Sequence, residues 1–209
     1  MSDNSISVEK TSNELIAVID TETNWHDQVM SIGIAIADSA SYKSVDTSYY
    51  IIDPEYRVGG IYSNVLNLNR IKRQTACESQ LPGLKQLVAG RSQVMMQIRD
   101  YLTNMGVNRI FAYNAKFDYG HLPELRDYEW YDIMRLAAYR QYNKAITDDM
   151  ACCKTGRLKT SYGVEPITRM LSGDNYYCEV HNAVYDAVDE LRIIEMLSLP
   201  INAYQVGRI

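Results

Sequence analysis

The chain has 209 residues, of which 46% are hydrophobic and 22% charged, and its formal net charge at pH 7 is −5. These values suit one globular domain over residues 1–209. No apolar run in the sequence reaches about 18 residues, which excludes a membrane-spanning helix. Residues 1–13 are polar and lack the apolar core of a signal peptide. We therefore expect residues 1–13 to form a flexible N-terminal tail and the protein to lie in the cytoplasm.

Charge is unevenly distributed along the chain. Residues 1–56 carry ten acidic and two basic side chains, whereas residues 57–125 carry nine basic and four acidic ones. An acidic chain argues against a protein that grips long duplex DNA through many phosphates. The basic middle region could guide a short or single-stranded end of nucleic acid, but ordinary solvated helix faces explain the same pattern equally well.

The first part of the chain predicts three strands. Residues 15–20, LIAVID, form a continuous apolar run rich in branched side chains, which is typical of a central strand buried on both faces. Residues 30–38 and 47–54 follow at the spacing of hairpins, and Pro54 closes the second of them. Residues 57–92 give no clear prediction.

The second part of the chain alternates helices with short strands. Residues 92–105 place apolar side chains at helical spacing, with Ser92 as the expected cap and Gly106 at the end. The later predictions are a strand at 108–114 leading into a helix, a strand end and helix within 130–142, partial helix at 157–172, and a strong amphipathic helix at 181–198 ended by Pro200. This order predicts an α/β fold with a mixed sheet flanked by helices.

Two acidic residues stand at the end of the first strand. Asp20 and Glu22 are two residues apart, so both side chains point to the same face of the strand. Neighbouring carboxylates repel each other and lose hydration on burial. A hard divalent cation such as Mg²⁺ or Mn²⁺ would relieve both costs. The plain alternative is a strand that reaches solvent with its acids hydrated.

Other polar residues extend this acidic pattern. Asp118 follows the strand at 108–114, and Asp186 lies near the start of the last predicted helix, five residues after His181. Separately, Asp118 could complement a helix dipole and His181 could cap a helix. Asp189 and Glu190 follow on the same helix and are expected to be solvated or paired. Together, four carboxylates could hold two metal ions about 4 Å apart for displacement at phosphorus; they are Asp20, Glu22, Asp118 and Asp186. A neutral His181 near the attacking water would suit a general base.

The four cysteines show no spaced disulfide framework, which fits a reducing compartment; they are Cys77, Cys152, Cys153 and Cys178. A zinc site made with His181 would lack the usual C-x-x-C geometry. We expect free, buried thiols.

Three motifs resemble those of one known family. DTET at 20–23, NAKFD at 114–118 and HNAVYD at 181–186 are similar, in this order, to the exonuclease motifs of the DEDD superfamily, histidine subgroup (DEDDh). Members include DnaQ-like proofreading subunits, RNase T and oligoribonuclease. The resemblance implies an RNase H-like fold and a two-metal-ion 3′→5′ exonuclease. It would release nucleoside 5′-monophosphates from single-stranded or frayed DNA or RNA ends.

The resemblance also implies roles for particular residues. The metal ligands would be Asp20, Glu22 and Asp186, with Asp118 completing the site and His181 as general base. Thr23 and Asn114 would lie near the terminal nucleotide. Homodimers are common among the RNA-trimming members, so a homodimer is a further expectation.

The chain departs from the family pattern at two places. Tyr113 stands where a histidine commonly precedes Asn114, and Asn24-Trp25 replaces a frequent Thr-Gly. We hypothesise that Trp25 stacks on a terminal base; the alternative is a tryptophan packed within its loop. Asp132 lies in a segment that often helps to orient the site, and residues 57–92, which match no family pattern, are a candidate region for substrate choice.

Three other functions stay open. The chain could be a catalytically silent binding module of the same fold, although all five catalytic positions are intact. It could be the proofreading subunit of a polymerase, although no evident recruiting tail follows the last helix. An endonuclease that shares the fold is the third alternative.

Overall fold

A six-stranded sheet forms the centre of the computed structural model, which describes residues 14–69, 71 and 81–209. Its strands are β1 (Leu15–Thr23), β2 (Val29–Asp38), β3 (Ser44–Ile52), β4 (Lys85–Ala89), β5 (Arg109–Ala112) and β6 (Glu129–Asp132), in the order β4-β3-β2-β1-β5-β6. The pairs β1–β2 and β2–β3 are antiparallel, and the pairs β3–β4, β1–β5 and β5–β6 are parallel. The predicted mixed sheet is confirmed. The predicted tail at 1–13 and Cys77 lie outside the described residues.

Helices cover both faces of this sheet. They are α1 (Arg91–Asn104), α2 (Lys116–His121), α3 (Met134–Ala137), α4 (Val164–Ser172) and α5 (Ala183–Leu197). On one face, the α1 residues Val94 and Ile98 pack in a core with Ile19 of β1. On the other face, Leu191 of α5 packs in a core with Val18. Because β1 is buried on both sides, its continuous apolar run is explained.

The strand β4 is absent from the sequence predictions. It lies at the sheet edge, pairs only with β3 in the described sheet, and has the short sequence KQLVA with most side chains exposed or half-buried. A short edge strand exposed to solvent carries little of the apolar pattern by which strands are recognised. Part of the unassigned region 57–92 is therefore an ordinary edge strand.

The last helix differs from its predicted bounds at both ends. The prediction was 181–198, whereas α5 covers Ala183–Leu197. Asn182 caps its start, since the Asn182 side chain accepts a hydrogen bond from the N–H of Val184. Its end is set by Ser198 in the left-handed conformation (φ 50°) rather than by Pro200.

The helix predicted at 92–105 is confirmed in position, since α1 covers Arg91–Asn104. Gly90 is its N-cap, with no side-chain cap hydrogen bond, so the prediction of Ser92 as the cap is wrong. Gly106 follows the end of α1 with φ 68°, a conformation that favours glycine.

The backbone of β2 approaches the start of α5 closely at Gly33. A Cβ atom at Gly33 would lie 2.0 Å from the carbonyl oxygen of Ala183, which no side chain tolerates. Gly33 is also the partner of Asp20 across the β1–β2 pair. The bare backbone of Gly33 therefore lets the first turn of α5, which carries Asp186, lie against the strand position of Asp20.

Candidate active site

The sheet and two helices bring four carboxylates together at the end of β1. Asp20 and Glu22 project from the last residues of this strand, two residues apart as predicted. Asp118 lies in α2 and Asp186 in the first turn of α5, and each is only 3% exposed. The charges of these residues affect one another's protonation, so they share one electrostatic environment.

Burial and mutual repulsion disfavour the charged forms of these acids. Burial, followed by the charges of Asp118 and Glu22, raises the pKa of Asp20 well above its usual value. The pKa of Glu22 rises to about 8, chiefly through burial. Burial also raises the pKa of Asp118 to about 7, and that of Asp186, where the charge of Asp20 adds to the effect. Such a cluster is suited to a cation.

Metal-ligating atoms converge at one place in the described residues. Single ligand atoms of Glu22, His181 and Asp186 all lie within 4.8 Å of one another. Within the same residues, the buried Oδ2 of Asp20 and Oδ1 of Asp186 have no hydrogen-bond partner. Unsatisfied buried carboxylate oxygens are costly unless a cation or donor binds them. Their oxygen-rich donor set fits Mg²⁺ or Mn²⁺. The Asp20 and Asp118 ligand atoms do not belong to this group of three.

His181 lies just outside the helix that carries Asp186. Its backbone is left-handed, with φ 58°. The side-chain amide of the next residue, Asn182, donates hydrogen bonds to Tyr49 Oη (3.0 Å) and to the Val65 carbonyl (2.7 Å). Burial lowers the pKa of the His181 imidazole, so the neutral form prevails near pH 7. His181 therefore lies in the loop before α5, and Asp186, five residues later, lies in the first turn of that helix.

Hydrogen bonds hold the second motif against β1, β6 and α5. The Thr21 hydroxyl donates to Asp118 Oδ1 at 2.8 Å. The Asn114 N–H donates to Asp132 Oδ1 at 3.0 Å, in a turn where Asn114 has φ 61°. The N–H of the preceding Tyr113 donates to Glu190 Oε2 at 3.0 Å. These contacts fix the turn that precedes Asp118. They also give Asp132 a physical means of orienting the site.

Two acids of α5 differ from their sequence interpretation. Asp189 and Glu190 follow Asp186 on the same helix and were expected to be solvated or paired, yet both are only 2% exposed. Asp189 accepts a hydrogen bond from the Tyr177 hydroxyl at 2.6 Å, and Glu190 accepts the Tyr113 N–H. The solvated interpretation is wrong, because this face of the helix turns toward the protein interior.

A fifth carboxylate near the site was missed. Glu179 is half-buried, and its charge raises the pKa values of Asp20, Glu22 and Asp186. Burial, followed by the charges of Asp189 and Glu165, raises the pKa of Glu179 itself to about 7. Glu179 lies in the loop before His181, where neither periodicity nor motif marks it in the sequence.

The candidate substrate residues lie close in sequence to Glu22 or Asp118 and are half-buried or exposed. The Trp25 side chain is exposed, at 65% for the residue, and the backbone N–H of Trp25 donates to the Gly59 carbonyl at 2.9 Å. Thr23 is half-buried and Asn114 is exposed. A second aromatic side chain, Phe117, precedes Asp118 and is 40% exposed. The exposure of the Trp25 side chain argues against the alternative of a tryptophan packed within its loop.

The three cysteines that the structure describes take no part in this cluster. Cys152 and Cys153 are partly exposed and Cys178 is exposed, so the expectation of buried thiols is wrong for all three, while the expectation that they are free is confirmed. In the ranges 14–69, 71 and 81–209, the group Glu22, His181 and Asp186 is where metal-ligating atoms converge. Across those ranges no helix is long and apolar enough to span a bilayer.

Comparisons with known proteins establish the fold. No protein-family model and no curated protein sequence matches the chain. Among solved structures, the nuclease domain of 3′hExo, a DEDDh family member bound to rAMP, is similar with TM-score 0.60 and 10% identity, over 95% of this chain and 98% of that one. A 3′-exonuclease that recognises a histone mRNA stem-loop is similar with TM-score 0.58 and 13% identity, over 90% of this chain and 64% of that one. Exonuclease I of E. coli in complex with an oligonucleotide is similar with TM-score 0.57 and 12% identity, over 92% of this chain and 42% of that one. The chain shares the RNase H-like fold of these proteins.

Proposed function

We propose that this chain is a metal-dependent 3′→5′ exonuclease that releases nucleoside 5′-monophosphates from single-stranded or frayed nucleic-acid ends. The observation that carries the proposal is the convergence of Glu22, His181 and Asp186 beside buried, unsatisfied carboxylate oxygens. It occurs within a fold whose similar solved structures include 3′-exonucleases. The order of the three sequence motifs adds independent support.

Each group in the site has a chemical role in this proposal. Four carboxylates would hold two divalent cations, Mg²⁺ or Mn²⁺, which supply charge stabilisation at the scissile phosphate when bound; they are Asp20, Glu22, Asp118 and Asp186. His181 would accept a proton from the attacking water, a task that requires a neutral imidazole. Burial favours that neutral form, since it lowers the His181 pKa. Thr23 and Asn114 would contact the terminal nucleotide.

A cleavage assay tests the proposed function directly. We expect 5′-labelled RNA or DNA oligomers to shorten from the 3′ end in Mg²⁺ or Mn²⁺, and EDTA to stop the reaction. Binding without turnover under any condition would favour the silent binding module, and internal cuts in circular single strands would favour the endonuclease. The ratio of RNA to DNA rates would then identify the preferred sugar, because only the ribose 2′-OH distinguishes the two substrates at a matched sequence.

The Trp25→Ala variant is expected to bind single strands more weakly, because an exposed indole close in sequence to Glu22 offers a stacking surface for one base. Loss of one such stack costs about 1–3 kcal/mol, a roughly 5- to 150-fold increase in Kd. Fluorescence anisotropy measures this Kd with labelled single-stranded oligomers, in Ca²⁺ or EDTA so that no cleavage competes with binding. Val206→Ala, an exposed apolar position in the C-terminal 3-10 helix, is the control. Unchanged affinity of the Trp25→Ala variant would refute stacking.

A further inference from the structure

The segment between β3 and β4 reaches the candidate site although it matches no motif of the resemblance. At its start, the Asn24 side-chain amide donates to the Glu55 carbonyl at 3.0 Å, and the backbone N–H of Trp25 donates to the Gly59 carbonyl. Further along, the Val65 carbonyl accepts a hydrogen bond from the Asn182 side chain. Residues 55–65 are therefore attached at one end to the loop that directly follows the first motif, and at the other end to the third motif.

Tyr62 lies between these two attachments and contacts His181. The two rings stack, with their centroids 4.2 Å apart and their planes 16° from parallel. Burial raises the pKa of the Tyr62 phenol, and the charges of Glu22, Glu179 and Asp186 raise it further. The Tyr62 side chain is therefore close enough to these carboxylates for their charges to act on it. A ring stack of this kind is a specific, directional contact.

The His181 ring has few other restraints. His181 precedes the helix rather than lying in it, and neither of its ring nitrogens has a hydrogen-bond partner in the described residues. The next residue, Asn182, fixes the main chain through the Tyr49 hydroxyl and the Val65 carbonyl. These bonds fix where the backbone lies, but rotation of the imidazole about its own side-chain bonds is limited by the stack with Tyr62.

The stacked orientation is compatible with catalysis. In this orientation a ring nitrogen of His181 lies within 4.8 Å of carboxylate oxygens of both Glu22 and Asp186. An attacking water held by those carboxylates and their cations would therefore lie within reach of the imidazole. A proton acceptor acts efficiently only within hydrogen-bond reach of the proton that it removes.

We infer that Tyr62 is a positioning residue, whose ring holds the His181 imidazole in the plane that directs a nitrogen toward Glu22 and Asp186. The inference rests on the proposed function of His181 as the general base. It assigns a particular task to Tyr62 within the region 57–92, which the sequence marks only as a candidate region for substrate choice. Since the stack needs a ring and not a hydroxyl, phenylalanine should substitute for Tyr62 and an aliphatic side chain should not.

Kinetics of three variants test the inference. We expect Tyr62→Leu to lower kcat about 10- to 100-fold with KM within about twofold, because misorientation of a catalytic group affects the transition state more than substrate binding. Tyr62→Phe should retain kcat within about twofold. Ile61→Ala removes the neighbouring side chain, which is exposed, and should match the wild type. Thermal unfolding of each variant verifies that it folds.

An NMR measurement that needs no turnover separates this inference from the proposed function. The ring protons of His181, identified with a His181→Ala variant, should be shifted upfield by Tyr62 in the wild type and in Tyr62→Phe, and not in Tyr62→Leu. An absent ring-current shift would disprove the contact. With the contact present, kcat of Tyr62→Leu within twofold of wild type, a change confined to KM, or an equal loss in Tyr62→Phe would each overturn the positioning role. A wild-type protein that cleaves no oligomer would instead refute the proposed function.

Discussion

Replacement of Asp20 by asparagine is expected to reduce cleavage of a single-stranded oligomer by at least about 10³-fold, or about 4 kcal/mol of transition-state stabilisation. Asparagine has nearly the same shape but lacks the charge, and its amide is a much weaker ligand for a hard cation. Asp20 is the residue on which the charges of Asp118, Glu22 and Glu179 all act. Single-turnover rates in saturating Mg²⁺ and Mn²⁺ measure the loss.

A matched substitution distinguishes this loss from a general effect of removing a charge. Asp127 is an exposed carboxylate paired with Arg99 through two short contacts and belongs to no part of the site. Asp127→Asn should therefore cleave at the wild-type rate. Cleavage by Asp20→Asn within tenfold of wild type would show that the Asp20 carboxylate is not a metal ligand.

The Asp20→Asn variant should also change how the free energy of unfolding depends on pH in the absence of metal. The pKa of Glu22 is raised from 4.5 to about 8 and that of Asp118 from 3.8 to about 7. Between about pH 4 and pH 8 the folded protein then binds more protons than the unfolded chain, so the free energy of unfolding falls as pH rises. Because Asp20→Asn removes one charge from the cluster, its stability in EDTA should fall less over this range.

Urea unfolding at pH 5 and pH 8 measures this dependence. Cations that bind the folded carboxylates should restore stability at pH 8, since they bind the native state in preference to the unfolded chain. The wild type should therefore lose stability with rising pH in EDTA and much less in Mn²⁺. A flat profile in EDTA would show that the carboxylates are not crowded in the folded protein.

The parts of the site that could be predicted are those encoded by short stretches of sequence. The buried strand at 15–20 is visible because β1 is covered on both faces, and the alternation of a strand places Asp20 and Glu22 on one face. Local order likewise placed Asp118 after a strand and Asp186 near a helix start. Each of these inferences needs only neighbours within a few residues, which is what a sequence shows directly.

The residues that could not be predicted depend on partners far along the chain. Tyr62 contacts His181, which lies 119 residues later in the chain. Glu190 is buried because its carboxylate accepts the N–H of Tyr113, 77 residues earlier. Gly33 is required because α5 crosses β2 at that point. No local pattern reports such contacts, and an acid on a helix is ordinarily expected to face solvent.

The His181→Ala variant is expected to lower the single-turnover rate about 10²- to 10⁴-fold, the usual contribution of a general base. Burial lowers the pKa of the His181 imidazole, so the wild-type rate should fall only below about pH 6.5, where an ordinary imidazole becomes protonated. In saturating Mn²⁺, which keeps the carboxylates ionised, the variant should lack this acid limb, because no imidazole remains to be protonated. His26→Ala, which removes an exposed histidine, should retain the wild-type rate and pH profile.

Metal affinity decides between two roles for His181. A ring nitrogen lies within 4.8 Å of ligand atoms of Glu22 and Asp186, a distance that suits either a base beside the water or a direct ligand. Removal of a general base should leave the Mn²⁺ affinity within about twofold of the wild-type value, whereas removal of a metal ligand should weaken that affinity tenfold or more. Titration of Mn²⁺ into both proteins, followed by electron paramagnetic resonance, measures that affinity. We expect slow turnover with unchanged Mn²⁺ affinity, which identifies His181 as the base, because hard cations prefer the surrounding carboxylate oxygens. Slow turnover with weakened Mn²⁺ affinity would make His181 a ligand. Normal turnover would remove His181 from the mechanism.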